Sequence, residues 1–382
     1  MKIAMFGHKR VPSREGGIEI VVEELAVRMV AQGHQVTCYN RRGHHVSGSQ
    51  FDTQRQTDFQ GVKLKSVWTL DKKGLAAMTA SLSAAFLSAF SKADVVHIHA
   101  EGPAFMCWLP KLFGKRVVVT VHGLDWQREK WKSGFASKYI HAGEKMAVRL
   151  ADEIIVLSRN MQDYFRDTYG RETVYIPNGV NRPEIKAAEE ITSQFGLKKD
   201  EYFLFLGRLV PEKGVHYLVD AFLKTRTDKK LVIAGGTSGT DGYIKGLKEL
   251  ARGDDRIIFT GFVQGQVLEE LYSNAYVYVL PSDVEGMPLS LLEAMSYGNC
   301  CLTSTIPECT EVVEQKAVAF QKSSVEALEA AMQQLCDEPE RVADYKKEAR
   351  EFICHKYDWD RVANKTMELY HENFADQQVS VS

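Results

Sequence analysis

The sequence lacks several patterns that would assign it to a common class of protein. Its 382 residues include seven cysteines, but none forms a CxxC pair or a zinc-binding spacing. An odd, scattered set is typical of buried free thiols in a reducing compartment. The first strand-like run is not followed by GxGxxG, so hydride transfer with a dinucleotide cofactor is the least favoured chemistry.

The sequence also lacks an apolar run strong enough to span a bilayer. The uncharged stretch 74–91 is rich in Ala and Ser, and its large apolar residues recur at helical spacing. We therefore expect a one-sided helix packed in the core, with membrane contact as the minor alternative. The N-terminal run "MKIAMFGHKR" becomes polar after six residues, which predicts a first strand and not a signal peptide.

Charge is nearly balanced over the whole chain but not along it. The formal net charge of −2 argues against nucleic acid as a partner. Residues 1–180 carry a net charge of +8 and the remainder −10. A basic N-terminal half suggests an anionic partner there, such as phosphates or lipid head groups. Uneven solvation of two domains explains the same numbers equally well.

Short β-rich runs alternate with helical patterns in both halves of the chain, which predicts an α/β protein with two parallel sheets. The pattern breaks in "IPNGVNRPEIK", where we place a hinge near Asn178. We predict an N-terminal domain over 1–178, a C-terminal domain over 179–356 and a terminal amphipathic helix over 357–375. Facing parallel sheets place a ligand crevice at the carboxyl ends of their strands, between the domains.

Two loops carry residues suited to phosphate. Gly16 and Gly17 open the first predicted helix, where backbone amides and the helix dipole favour an anion. A plain turn would also use these glycines. In "GRLVPEKG", Arg208 and Lys213 follow a strand and can converge on one diphosphate. A solvated basic turn is the alternative for this pair.

The segment "EGMPLSLLEAM" carries two glutamates, Glu285 and Glu293, in an otherwise apolar run. Pro288 suits a first helical position, which leaves the amides around it free to bind a diphosphate. Glu293 then lies about 7 Å further along the helix, within reach of a ribose. Apolar neighbours would bury its carboxylate without a partner, which is costly, so we expect a ligand to supply one. Glu285, at the mouth of the loop, would face the group beyond the diphosphate.

Together, "EGMPLSLLEAM", "GRLVPEKG" and the "GGIE" near the start resemble the retaining nucleotide-sugar glycosyltransferases of family four. The resemblance covers nearly the whole chain. It implies the GT-B fold, two facing Rossmann-like domains with an interdomain cleft, in which the N-terminal domain takes the acceptor and the C-terminal domain the donor. The opening "SREGGIEIVVEEL" is most similar to members with a GGFE-type opening, several of which transfer rhamnose or related sugars to surface polysaccharides.

The resemblance also implies roles for individual residues. Arg208 and Lys213 would hold the diphosphate, Glu293 the ribose and Glu285 the donor sugar, with His122 near the reacting face of that sugar. Glu285 and His122 are the predicted catalytic residues. The remaining predicted donor contacts are Gly16, Gly17, Gly261, Phe262, Gly286, Met287, Pro288 and Leu289. Neither a metal nor a cofactor is expected, since cations and helix amides would neutralise the leaving group.

Other polar residues near predicted strand ends receive no firm role. His97 and His99 lie on one side of a strand end, and no third metal ligand stands at a suitable spacing. We expect them to line the acceptor side or to pack locally. Asp125 is left unassigned. Arg41 and Arg42 meet an anionic acceptor in one interpretation and form a solvated loop in the other.

These expectations combine into a retaining sugar transfer by front-face attack, from a nucleotide-sugar donor to a glycan or lipid-diphosphate-linked acceptor in surface polysaccharide synthesis. A nucleotide-sugar epimerase and a non-catalytic nucleotide-sugar sensor are the alternatives. We expect a cytoplasmic protein, with peripheral membrane contact through its N-terminal domain at the inner face. The donor sugar, the base, the linkage and the oligomeric state are not readable from the sequence.

Overall fold

A computed structural model describes residues 1–43, 48, 56–70, 72, 75–124, 135–236 and 240–371 of the chain. The chain divides into two compact units. Unit 1 comprises Met1–Gly179 and Trp359–Ser382, and unit 2 comprises Val180–Asp358. The boundaries expected from the sequence fall one and two residues from these positions.

Unit 1 is built on an eight-stranded sheet whose order is β3-β4-β2-β1-β5-β6-β7-β8. Every neighbouring pair is parallel except β3 and β4, at the sheet edge. The strands are β1 (Lys2–Phe6), β2 (Gln35–Arg41), β3 (Asp58–Phe59), β4 (Val62–Val67), β5 (Val95–His99), β6 (Arg116–Val121), β7 (Glu153–Val156) and β8 (Val174–Tyr175).

In the described part of unit 1, six helices lie between these strands. They are α1 (Gly17–Ala31), α2 (Ala76–Ala89), α3 (Glu101–Ala104), α4 (Trp108–Leu112), α5 (Phe135–Leu150) and α6 (Arg159–Tyr169). A 3-10 turn over Phe105–Cys107 joins α3 to α4. The inner strands β1, β5, β6 and β7 are buried almost throughout and, apart from the histidines of β5, mostly apolar, as expected for a parallel sheet covered on both faces.

Unit 2 is a smaller version of the same plan, with a six-stranded parallel sheet in the order β11-β10-β9-β12-β13-β14. Its strands are β9 (Tyr202–Leu206), β10 (Lys230–Ala234), β11 (Ile257–Gly261), β12 (Val277–Leu280), β13 (Cys300–Ser304) and β14 (Val318–Phe320). Its helices are α7 (Glu190–Phe195), α8 (Val215–Lys224), α9 (Asp241–Leu250), α10 (Gly265–Asn274), α11 (Leu289–Ser296), α12 (Pro307–Val313), α13 (Val325–Asp337) and α14 (Pro339–Lys356).

The last helix, α15 (Trp359–Tyr370), returns to unit 1 and packs against α1. Asp360 accepts from Arg28 Nε at 2.8 Å, and Asn364 accepts from Gln32 at the same distance. Arg116 Nε donates to the Leu369 carbonyl at 2.9 Å. Residues 372–375 of the predicted terminal helix lie outside the described residues.

The expectation for the helix within 74–91 is wrong about its buried face. The helix forms as α2, but Leu82, Phe86 and Phe90 are 48%, 55% and 59% exposed. The buried side chains are small ones, including Ala80, Ala84 and Ala85. Small side chains let a helix backbone approach its neighbours closely, which places the bulky row on the outside. Among the described residues, no helix is long and apolar enough to cross a membrane.

All seven cysteines are free. Cys336 and Cys354 are half-buried and the other five are buried. The prediction of buried free thiols is therefore confirmed for those five.

Apart from the antiparallel edge pair β3–β4, the strand order of each sheet reverses direction at one point. In unit 1 this lies between β1 and β5, and in unit 2 between β9 and β12. Loops that leave adjacent strands on opposite faces of the sheet open a crevice there, at the carboxyl ends. The loop after β9 carries Arg208 and Lys213, and the loop after β12 carries Glu285.

Candidate functional site

The two unit 2 loops are held together by a close backbone approach. Gly214 has φ +67°, and a Cβ there would lie 2.1 Å from the Pro281 carbonyl oxygen. Only glycine combines that dihedral with that distance. The contact fixes the end of the β9 loop against the start of the β12 loop. A backbone hydrogen bond of 2.8 Å, from the Asp283 amide to the Glu212 carbonyl, ties them again.

This approach brings Lys213 to Glu285. The Lys213 ammonium lies 2.5 Å from Glu285 Oε1, with the two side chains 14% and 8% exposed. Ser282 Oγ donates to the same carboxylate oxygen at 2.6 Å. Glu285 Oε2 accepts no hydrogen bond from the residues that the structure describes. An ammonium has three donors and Glu285 takes one, so Lys213 keeps capacity for a further anion.

Helix α11 begins one residue later than the sequence suggested. Pro288 is extended, with φ −78° and ψ 95°, and occupies the N-cap, not the first helical position. Its carbonyl accepts from the Leu291 and Leu292 amides. In the described chain, the Gly286 and Leu289 amides have no protein acceptor. Both amides belong to the predicted cluster of donors before the helix, and Gly286, Met287, Pro288 and Leu289 are all buried.

Glu293 has a protein partner, contrary to the expectation that only a ligand could supply one. The Tyr272 hydroxyl donates to Glu293 Oε2 at 3.1 Å, and the carboxylate is half-buried on the second turn of α11. The Tyr272 ring stacks on Tyr297 with centroids 5.2 Å apart. A carboxylate accepts about four hydrogen bonds, so Tyr272 orients Glu293 without filling its capacity.

The remaining predicted donor contacts lie along the same sheet edge. Arg208 is half-buried, two residues after β9. Gly261 ends β11 with φ +74°, and its carbonyl accepts from the Gly235 amide at 2.9 Å. Phe262 follows, half-buried. From β11 to β12 are three strand spacings, about 14 Å. The structure therefore places Gly261, Phe262, Arg208, Lys213 and Glu285 at the carboxyl edge of four adjacent strands.

In unit 1, Gly16 and Gly17 stand where the sequence placed them. Gly16 is the extended N-cap of α1, and Gly17 is its first residue. A carboxylate of the protein already lies there, since a Cβ on Gly16 would be 2.5 Å from Glu19 Oε2. Glu19 is buried and accepts from the Lys9 amide at 2.8 Å. Burial opposes ionisation of Glu19, but the Lys9 charge and backbone amides outweigh it and lower its pKa.

Three buried histidines lie at the carboxyl ends of β5 and β6. His97 is bonded on both nitrogens, to Tyr370 at 2.6 Å and to Thr120 at 2.7 Å. Burial lowers its pKa to about 3. His97 thus packs locally, which was one of the two roles expected for it. His99 stacks on His97 and places Nδ1 3.0 Å from His122 Nε2.

The environment of His99 selects a proton arrangement for the pair. Its Nε2 is buried and has no partner among the described residues. Burial holds the pKa of His99 well below its usual range, so the ring is neutral. An unpaired buried N–H costs more than an unpaired lone pair. We therefore infer that the proton of His99 lies on Nδ1 and is donated to His122 Nε2.

Arg41 ends β2 and takes neither of the two roles considered for it, whereas Arg42 is compatible with both. Arg41 donates to the Gly7 carbonyl at 3.3 Å, and burial lowers its pKa. It supports the loop after β1 and does not reach outward. Arg42 is exposed. Asp125 lies outside the described residues. Within the described ranges, no three His, Cys, Asp or Glu side chains are grouped so as to hold a metal ion.

Two contributors to the site escaped the sequence reasoning. Ser282 stands three residues before the glutamate it contacts, a local spacing that could have been noticed. Tyr272 lies 21 positions before Glu293 on a different helix, and no local pattern links the two.

Two family models match the chain, and the boundary between them lies close to the boundary between the two units. Residues 187–373 match the family described as glycosyl transferases group 1, and residues 15–182 match glycosyltransferase family 4. Apart from 183–186, the two matches together extend from residue 15 to residue 373.

Relatives and solved structures agree with those matches. A glycogen synthase of Mycobacterium tuberculosis is 28% identical, over 97% of this chain and 94% of its own. Sucrose-phosphate synthase from Thermosynechococcus elongatus superposes with a TM-score of 0.82 at 21% identity, covering 98% of this chain and 99% of that one. Anabaena HepE in complex with UDP and glucose gives 0.78 at 16% identity, covering 96% and 98%. The two structures share the fold of this chain.

Proposed function

Because the chain is a glycosyltransferase of the GT-B type, we propose that it moves a sugar from a nucleoside-diphosphate donor with retention at the anomeric carbon. Unit 2 binds the donor and unit 1 the acceptor. The relatives named for glycogen and sucrose-phosphate synthesis, and the neighbour that holds UDP and glucose, support a nucleotide-sugar donor.

One observation carries the proposal: the close approach at Gly214 sets Lys213 and Glu285 side by side at the strand reversal of unit 2. A diphosphate beside Lys213 would have the donor sugar next to it, within reach of Glu285 Oε2. Glu293, held by Tyr272, would accept from the ribose hydroxyls. Gly261 and Phe262, on the far side of β9, would line the base.

The chemical step is a front-face substitution. The bond between the anomeric carbon and the diphosphate oxygen breaks, and a bond to the acceptor oxygen forms on the same face. The acceptor proton passes to the departing diphosphate oxygen. In this step Glu285 positions the sugar, and Lys213 and Arg208 stabilise the charge that develops on the leaving group. The amides of Gly286 and Leu289 at the start of α11, next to Met287 and Pro288, add donors to the same group.

His122 contributes from unit 1. His122 directly follows β6 and would lie near the reacting face of the donor sugar. Gly16 and Gly17 add backbone amides at the start of α1. The nearby Glu19 carboxylate limits the negative charge that this helix end accepts.

For the acceptor, we propose a glycan or a lipid-diphosphate-linked sugar of surface polysaccharide synthesis, met by the N-terminal unit at the cytoplasmic face of the membrane. The net charge of +8 over residues 1–180 supports an anionic acceptor. Rhamnose or a related sugar is the donor group we propose to test first.

The test is release of nucleoside diphosphate from a panel of UDP-, GDP-, ADP- and dTDP-sugars, each alone and with a bacterial lipid extract. The wild type should release diphosphate from one donor, with the anomeric configuration retained in the product. Glu293→Ala should weaken use of that donor about 10- to 100-fold, the loss of one or two charge-assisted hydrogen bonds. Glu201→Gln, an exposed glutamate before β9, is the matched control and should behave like the wild type.

Other outcomes distinguish the alternatives. A rearranged sugar without diphosphate release would identify an epimerase. Donor binding with neither release nor rearrangement, under every acceptor condition, would identify a sensor. An inverted product would overturn the retaining mechanism while leaving the donor assignment intact.

A further inference from the structure

Exposed hydrophobic side chains are concentrated in one part of unit 1. Within the described residues, ten large hydrophobic side chains are exposed, and eight of them lie between residues 68 and 113. The other two, Ile185 and Leu250, are isolated in unit 2. Scattered exposed apolar residues are ordinary on a protein surface, but a cluster of this size marks a binding surface.

Six of the eight define what we call the apolar patch: Trp68, Phe86, Phe90, Trp108, Leu112 and Phe113. The Phe90 ring lies 4.7 Å from Phe86 and 4.4 Å from Phe113, measured between centroids. The Trp68 carbonyl accepts from Ser83 Oγ on α2 at 3.0 Å, which joins Trp68 to the same helix. Trp108 and Leu112 stand one turn apart on α4, which packs against α2. The patch is therefore continuous.

Helix α2 presents this surface by its composition. No residue of Ala76–Ala89 is charged. Its small side chains face the protein, so the bulky row that would fill a core lies outside instead. An exposed apolar row on a helix of about 21 Å suits a helix that lies flat on a bilayer and does not cross it.

The segment that carries the patch is rich in basic residues, of which Lys111 and Arg116 pair with Asp152 and Glu153. Residues 61–116 contain eight Lys and Arg but three Asp and Glu. Of the three acids, Glu101 is buried and Asp94 accepts from the Lys2 amide at 2.7 Å. Lys92 is exposed two residues beyond Phe90, and Lys115 Nζ donates to the Ser91 carbonyl at the end of α2. Basic residues beside tryptophan and phenylalanine complement anionic head groups above an acyl layer.

We propose that the apolar patch docks unit 1 on an anionic lipid bilayer, with its aromatic rings at the head-group boundary and the neighbouring lysines on lipid phosphates. The suggestion that docking brings the enzyme to a lipid-linked acceptor rests on the proposed function. The docking itself rests only on the surface, and it is measured without donor or acceptor.

The test is flotation of the full chain with unilamellar vesicles of phosphatidylethanolamine and phosphatidylglycerol, against vesicles of phosphatidylcholine alone. The wild type should float with the anionic vesicles, and added salt should weaken the binding. Phe86→Ser with Phe90→Ser should lower the partition coefficient about tenfold or more. Lys92→Glu should lower it by a smaller factor.

Two controls in unit 2 match these changes. Ile185→Ser removes a comparably exposed apolar side chain, and Lys245→Glu reverses an exposed charge; neither should alter flotation. The Phe86/Phe90 variant must keep the unfolding midpoint of the wild type. Equal flotation of wild type and variant, or none with either vesicle, would overturn the proposal. So would a concentration-dependent dimer that the variant abolishes, because the patch would then join two copies of the chain.

If flotation succeeds and no donor is turned over, the docking surface stands and the proposed function fails. If the protein turns over a donor but does not float, the proposed function stands and the docking surface fails.

Discussion

Lys213 Nζ and Glu285 Oε1 lie 2.5 Å apart although their residues are 72 positions apart in the chain. The pair joins the cation assigned to the diphosphate to the carboxylate assigned to the sugar. One contact therefore links the two halves of the proposed donor site. We expect the effects of mutating its two residues on stability to be coupled.

A double-mutant cycle tests this unit. Lys213→Met and Glu285→Gln should each destabilise unit 2, because each leaves a largely desolvated partner without its opposite charge. We expect a loss of about 1–3 kcal/mol for each variant. This is less than the roughly 3–5 kcal/mol for a fully buried pair, since both side chains keep some exposure. The double variant should lose less than the sum of the two single variants. Urea unfolding followed by circular dichroism measures the three changes. Glu351→Gln, from the exposed pair with Arg182, is the control and should change little. Additive losses would mean that the pair is not coupled.

Gly214→Ala tests the close approach that creates the pair. The added methyl would meet the Pro281 carbonyl at 2.1 Å, and a β-carbon also disfavours φ +67°. Gly253→Ala is a matched control, since Gly253 has φ +92° and nothing within 4 Å of an added Cβ. The control should cost about 1–2 kcal/mol from the dihedral alone. Gly214→Ala should cost clearly more in urea unfolding and should also reduce diphosphate release. Equal losses would show that the contact with Pro281 is not limiting.

The strands were predictable because their signals are local. Runs such as "AYVYVLPS" are apolar, β-branched or aromatic, and end at proline or glycine. The positions of Gly16, Arg208 and Glu285 at strand and helix ends follow from those runs. Pro288 was misplaced by one residue, because the preference of proline for a first helical position does not decide between neighbouring positions.

Contacts between distant elements were not predictable in the same way. The Tyr272–Glu293 hydrogen bond depends on how α10 packs beside α11, and sequence spacing does not encode that. In α2 both faces are free of charge, so periodicity identified the row of bulky residues but not the side on which it lies. The small side chains are the buried ones because they allow the helix to pack more closely against the sheet and its neighbours.

Tyr272→Phe tests whether the hydroxyl orients Glu293. Removing one hydrogen bond to a carboxylate should raise the KM for the donor about 3- to 10-fold, a smaller change than that of Glu293→Ala. Tyr276→Phe removes another buried hydroxyl, which donates to the Leu335 carbonyl at 2.6 Å. It should lower stability without changing donor KM, and steady-state diphosphate release separates the two variants. A KM change of the same size in both would make the effect a general loss of packing.

The buried histidines predict that unit 1 loses stability in mild acid. Burial lowers the pKa of His8 to about 4 and that of His97 to about 3, and it holds the pKa of His99 well below 6.5. Below about pH 6.5 the unfolded chain binds protons that the folded unit does not. Stability is therefore full above that pH and falls as the pH decreases toward 4, by about 1.4 kcal/mol per pH unit for each such histidine.

All five tryptophans of the chain fall within the ranges of unit 1, so tryptophan fluorescence during urea unfolding reports on this unit. The unfolding free energy should decrease steeply between pH 6 and pH 4.5. His97→Gln keeps polar atoms near Tyr370 and Thr120 but cannot titrate, so it should reduce the slope by about 1.4 kcal/mol per pH unit. His355→Gln, exposed in unit 2, should leave the slope unchanged. A flat profile in the wild type between pH 7 and pH 5 would contradict the assignment of these rings as neutral, because neutral buried histidines must lose stability as the unfolded chain takes up protons.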